Sequence, residues 1–363
     1  MKSIRKFGVL IAILGLVVAA CNGDAEPGTT TVAEAPDTTE APDTTEAPDT
    51  TEAPSADISG TINMARANWD TGYFQAEIYY QLLTELGYDV VHPEENELGA
   101  ELFYVAVSER DVDFWANGWF PLHSEFLEAA PNAVRVGNSI AAGGFQGYLV
   151  DKATADEYGI ESIEQIADDP DLVALFDTDG NGLADLTGCD AGWGCHEQIE
   201  QHLGSEGLGD SIEHINAQYS VLMADVLARH DRGEPVLFYT WTPNWTVGAL
   251  APGTDVVWIN APTHPDGNPP VPGVEGCVAD PCDIGWAAND INVVANTDFL
   301  AENPAAATLL EVMELPLGDV SAQNFLMDQG ENTQADITRH AEEWIAENRD
   351  LVDTWLQAAR DAA

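Results

Sequence analysis

Two segments of the chain share one design. Asp113-Phe-Trp-Ala-Asn-Gly-Trp119-Phe-Pro121 and Phe238-Tyr-Thr-Trp241-Thr-Pro243 each run an apolar strand into Trp-x-Pro and then a helical stretch. Proline suits the first turn of a helix, so the spacing predicts each tryptophan on the turn leaving the carboxyl end of its strand, the edge where open α/β sheets bind ligands. Trp193 sits in the glycine-bracketed loop Gly192-Trp-Gly194, and Trp69 follows a strand and precedes a helix. Several ring faces in one cleft suit a cation that carries no hydrogen-bond donor, each face contributing on the order of 0.5–2 kcal/mol. Sugars also stack on indoles, but a sugar site needs many side-chain hydrogen-bond partners, and these segments locate none. Trp119, Trp193 and Trp241 are read as functional. Trp115, Trp245, Trp258, Trp286, Trp344 and Trp355 are read as packing residues, and Trp69 stands open between a fourth wall of the site and packing.

Other chemistry is weaker. Asp177-x-Asp179-x-Asn181-Gly182-x-x-Asp185 has the alternating oxygen ligands of a calcium loop, but its twelfth position is Gly188 in place of the usual bidentate Glu, so an Asx-bonded turn is the preferred reading and no metal is assigned. An extracellular hydrolase is the rival from another class. No nucleophile elbow, HExxH helix or paired-carboxylate motif supports it, and His196-Glu-Gln-Ile-Glu-Gln-His202 has the wrong spacing for a zincin. The chain is therefore read as a binding protein, not an enzyme, with no cofactor.

The elements that must position these residues alternate. A strand-like segment Ile58–Trp69, a helix Tyr73–Leu86 ended by Gly87 and a strand Tyr88–Val91 form a βαβ unit. Further strands are expected at Val112–Trp115, Gly147–Val150, Pro235–Thr240, Asp255–Ile259 and Ile291–Ala295, with helices at Ser162–Ala167, Gln218–Arg229 and Phe299–Met313. This alternation predicts an α/β architecture with mainly parallel sheets. At the end of the chain Ile337, Ala341, Trp344, Ile345, Leu351, Val352, Trp355 and Leu356 recur at spacings near three and four, predicting an amphipathic helix packed on the body.

The chain has 363 residues, 45% of them hydrophobic, which is enough for two domains with sizeable cores. Its 63 acidic and 12 basic residues give a formal net charge of −51, which excludes nucleic acid as a partner and reads as a solvated, self-repelling surface. Residues 1–20 read as a secretory signal: Lys2, Arg5 and Lys6 precede an apolar run, Phe7 to Ala20, too short to span a membrane. The ending Val18-Ala-Ala-Cys21 resembles a bacterial lipobox, predicting cleavage before Cys21 and a lipid on its sulfur. Residues 21–57 form a linker in which Ala-Pro-Asp-Thr-Thr-Glu recurs three times between Ala35 and Glu52. Of three possible connectivities for the remaining cysteines, the simplest is Cys189–Cys195 with Cys277–Cys282; spacings of five and four intervening residues argue against a zinc site.

Three segments carry a family resemblance: Trp119-Phe-Pro-Leu-His123; Phe176 to Cys195, with its Thr-Gly-Cys…Gly-Trp-Gly-Cys pattern; and Tyr239-Thr-Trp-Thr-Pro-Asn-Trp245. The chain resembles the ProX-like glycine betaine/proline betaine-binding proteins of osmoprotective ABC importers from about residue 60 to its C-terminus. That resemblance implies a two-lobed type II periplasmic-binding-protein fold with a hinge and an interlobe ligand cleft, with 58–147 plus 291–363 as one lobe and 148–290 as the other. It implies a box of Trp119, Trp193 and Trp241 around the quaternary ammonium, with His123 and the backbone amides of Gly194 and Cys195 on the ligand carboxylate. It also implies a permease partner and, through it, an ATPase. Trp69-Asp70 resembles the early tryptophan of related choline-binding proteins, which keeps choline or carnitine as the alternative ligand. The segment Pro262–Cys282 has the look of a family-variable loop.

Overall fold

The computed structural model describes residues 58–205, 207–261 and 269–363; the expected leader, Cys21, the linker 21–57 and part of the loop after Pro262 lie outside the described residues. The strands in chain order are β1 Thr61–Asn63, β2 Arg66–Ala67, β3 Asp89–Val91, β4 Glu97–Leu98, β5 Phe114–Phe120, β6 Ala133–Asp151, β7 Ala184–Thr187, β8 Ile212–Ile215, β9 Leu237–Thr242, β10 Val256–Ile259 and β11 Asn289–Asn296. Helices lie between them, the longest being α1 Thr71–Leu86, capped as expected by Gly87 in the left-handed region (φ 115°).

The main sheet has the order β5-β11-β6-β9-β7-β8, with β10 pairing β6. Its organiser is β6, 19 residues long. The first part of β6 pairs antiparallel with β11 as far as Gly144, and from Phe145 onward it pairs antiparallel with β9. The sheet system is therefore mixed: β1·β3, β2·β4, β7·β8 and β7·β9 are parallel, while β6 pairs antiparallel with β9, β10 and β11, and β11 pairs antiparallel with β5. This corrects the expectation of mainly parallel sheets. The βα units supply parallel pairs, and the long β6, with β9, β10 and β11, adds antiparallel ones.

Further corrections concern element ends. Trp119 and Trp241 lie within β5 and β9, near their carboxyl ends, and not on turns beyond them. The following prolines do not open helices, which begin only at Ser124 and Thr246; the bonds Phe120–Pro121 and Thr242–Pro243 are cis. The helix expected over Phe299–Met313 is two, Thr297–Glu302 and Pro304–Val312, because Pro304 cannot continue a helix but can start one. The C-terminal amphipathic segment is likewise two helices, Gln334–Glu347 and Arg349–Asp361, whose Trp344 and Trp355 stack at 6.2 Å; Trp344 also meets Phe74 of α1 edge-on, so the tail packs on the body as expected.

Candidate ligand-binding site

The tryptophans at the strand ends converge. Trp119 of β5, Trp241 of β9, Trp69 between β2 and α1, and Trp193 just ahead of the helix Gly194–Ser205 all line one small cavity. Leu122, His123, Gly194 and Cys195 complete the wall with Gln146 and Tyr239. Ring centroids are 5.1 Å apart for Trp69 and Trp193 and 5.8 Å for Trp193 and Trp241, at interplanar angles of 64° and 81°, so neighbouring walls meet steeply.

Every indole N–H of the four is already engaged. Trp69 and Trp119 both donate to Oδ1 of Asn117 at 2.8 Å, and Trp193 donates to Oδ1 of Asn68 at 2.8 Å. Trp241 donates to the Thr71 hydroxyl at 2.9 Å, which in turn donates to the Pro243 carbonyl. With their polar edges committed, what the indoles offer a guest is their π-faces. Gly144 of β6 runs close behind: a Cβ there would meet the Trp119 ring and the Asn289 carbonyl, each at 2.9 Å, so a side chain at this position would displace the ring.

His123 caps the short helix Ser124–Glu128 and is buried among aromatic rings, 6.4 Å from Trp69 and 5.7 Å from Tyr104 between centroids. Desolvation pushes its pKa down to about 3, so the imidazole is neutral at neutral pH. Its Nδ1 accepts the Trp119 backbone N–H at 3.2 Å, which leaves Nε2 as the protonated, donating nitrogen. Gly194 and Cys195 open a 12-residue helix, so their N–H groups have no intrahelical acceptor and sit at its positive end. The Cys189–Cys195 disulfide, Cα atoms 6.5 Å apart, closes the loop that carries Trp193; Cys277–Cys282 is also bonded, with Cα atoms 6.0 Å apart, so the simplest connectivity is the one present.

All seven site residues expected from sequence thus border one cavity, Trp69 included. Sequence reasoning missed Leu122, Gln146 and Tyr239 in the wall and Asn68, Thr71 and Asn117 behind it. Tyr239 was within reach, since it lies two residues before Trp241 on a strand and so on the same face. Of the expected packing residues, Trp115 is buried between Trp69 and a stacked Phe103, and Trp245 donates to Asp70 at 2.7 Å.

Elsewhere, Asp177 uses its carboxylate as an Asx-type clamp, accepting backbone N–H groups from Gly180, Asn181 and Gly182, and these bonds hold its pKa below the usual range. Asp185 accepts from the Thr178 amide at 2.9 Å, and Asp179 and Asn181 accept from the amides of Asn181 and Leu183. His196, Glu200 and His214 also come together. Both ring nitrogens of His214 are engaged, Nε2 by the Cys189 amide at 3.3 Å and Nδ1 against Glu200 at 2.9 Å, while His196 meets the His214 ring at 5.1 Å between centroids and its buried Nδ1 has no partner.

Comparison with known proteins agrees with this geometry. A glycine betaine-binding periplasmic protein of Dickeya dadantii is 41% identical over 296 residues, covering 80% of this chain and 87% of that one. A glycine betaine/proline betaine-binding periplasmic protein of Escherichia coli is 36% identical over 313 residues, covering 84% and 92%. The crystal structure of a glycine betaine/L-proline-binding protein of an ABC transporter from Borrelia burgdorferi superposes with a TM-score of 0.64 at 18% identity, covering 84% of this chain and 99% of that one; the periplasmic-binding-protein fold is shared. The family model described as the substrate binding domain of ABC-type glycine betaine transport systems matches residues 60–347. With four indole rings around one cavity and that match over most of its length, the chain belongs to the family of substrate-binding domains of ABC-type glycine betaine transporters.

Proposed function

We propose that the cavity captures glycine betaine or proline betaine for delivery to an ABC permease in osmoprotection. The trimethylammonium group lies against Trp119, Trp193 and Trp241, with Trp69 as a fourth wall. The ligand carboxylate accepts from His123 Nε2–H and from the backbone amides of Gly194 and Cys195. The observation that carries this reading is the engagement of all four indole N–H groups away from the guest. Such a box suits a cation that can neither donate nor accept a hydrogen bond, and each ring contributes on the order of 0.5–2 kcal/mol. The neutral imidazole and the helix start supply donors for an anionic group at the other end. The protein is a transport receptor and not an enzyme.

Two lobes, 58–147 plus 291–363 and 148–290, close over the ligand in this reading; the exchange of β6 from β11 to β9 between Gly144 and Phe145 supports a crossover there. The receptor works outside the cytoplasm, held to the membrane by a lipid on Cys21. Among the described residues no helix is long and apolar enough to cross a membrane.

Trp69 in the wall favours choline as the competing ligand. Choline lacks a carboxylate and leaves His123 and the two amides unmet. Titration calorimetry with glycine betaine, proline betaine, choline and carnitine, repeated on His123→Ala, tests the assignment. The betaines should bind tightest, and the variant should weaken them by about tenfold or more, as expected for a hydrogen bond to a charged group. Tightest binding of choline with an unaffected variant would overturn it.

A further inference from the structure

Gln146 lines the cavity with one end of its amide bonded and the other without a partner. It sits on β6 directly opposite Trp241 of β9, and on an antiparallel pair the two side chains share a face of the sheet. The residue is 1% exposed and lines the same cavity as His123, Gly194 and Cys195. Its Oε1 accepts from the Tyr239 hydroxyl at 2.7 Å, which fixes the amide, while its Nε2 is buried and has no partner. Buried donors in folded proteins are nearly always satisfied, and one bordering a cavity points to what fills that cavity.

We propose that Gln146 is a fourth donor to the anionic end of the guest, oriented by Tyr239, and thus a residue that sets selectivity for carboxylate-bearing quaternary ammonium compounds. The inference rests on the proposed function. It adds a side-chain donor from β6 to those supplied by the His123 turn and the helix start. An amide suits the position because it donates without carrying charge, so the same side chain stands beside the cationic group without repelling it, as lysine or arginine would.

The test is calorimetric titration of glycine betaine into the wild-type protein, Gln146→Met and Gln146→Glu, with folding checked by circular dichroism. Gln146→Met keeps the length and removes the donor, and should raise Kd by about tenfold to a hundredfold, the range for a hydrogen bond to an ionised group. Gln146→Glu keeps an acceptor for Tyr239 but turns an oxygen toward the ligand carboxylate, and should bind more weakly still. A purely structural role through Tyr239 predicts the opposite order, with Gln146→Glu closer to wild type than Gln146→Met. That order, or an unchanged Kd in Gln146→Met, overturns the inference; if Gln146→Glu fails to fold, Gln146→Met decides. Failure of the wild-type protein itself to bind glycine betaine would instead sink the ligand assignment.

Discussion

Burial among aromatic rings takes the His123 pKa from its ordinary 6.5 to about 3, and the sign of the consequence is fixed. Above pH 6.5 the imidazole is neutral whether the chain is folded or not. Between 6.5 and about 3 the unfolded chain binds a proton that the folded one refuses, so this residue's contribution to stability is lost as pH falls through that window, by a few kcal/mol in all. Thermal midpoints of wild type and His123→Gln measured from pH 7 to pH 4 should therefore fall more steeply for the wild type; parallel slopes would mean the imidazole is not buried neutral. The family motif nominated His123, but its tautomer was not legible, because it depends on the Trp119 amide reaching Nδ1. Asn117 was not legible at all. It reads as a loop residue between Ala116 and Gly118, yet it is buried in β5 so that a single oxygen can receive two indole N–H groups.

That misreading spreads to the strand. Ala116-Asn-Gly118 interrupts the apolar pattern, so sequence ended the strand at Trp115, whereas tertiary demands carry it on to Phe120. Gly118 belongs inside because a Cβ there would come within 2.7 Å of Val294 on the neighbouring β11. Helix ends set by local signals were more readable, as in the Ser162/Gln165 capping box that starts Ile163–Asp168. The most consequential local element is the loop from β7 to the helix Gly194–Ser205. It is closed covalently by Cys189–Cys195 and held from outside by the Glu101 amide on the Gly192 carbonyl. Fixing this loop in advance reduces the ordering needed when ligand arrives. Cys189→Ser should accordingly weaken betaine binding by about tenfold, while Cys282→Ser, in a disulfide that does not line the cavity, should leave it near wild type. Equal losses in calorimetry would contradict the role given to the loop.

Across the whole molecule, the short segment Asn68–Thr71 is a catch plate for distant tryptophans. Trp193 donates to Asn68, Trp245 to Asp70 and Trp241 to Thr71, bonds that join residues 125 to 175 positions apart. No sequence pattern displays such pairings, which exist only in the folded chain. If these bonds stabilise the closed arrangement, removing them lowers the population competent to hold ligand and weakens apparent affinity without touching the ring faces. Asn68→Ala with Asp70→Ala should show a larger radius of gyration at saturating wild-type ligand concentrations by small-angle X-ray scattering, and faster ligand release. Unchanged scattering would argue that the catch is incidental. The Cys189–Cys195 ring gives this assembly a temporal order as well. With Cys189 and Cys195 reduced, Trp193 and both amides sit on an untethered loop, and the proposed grip on betaine would be looser. On the proposed function, full grip therefore waits on the oxidation of Cys189 and Cys195.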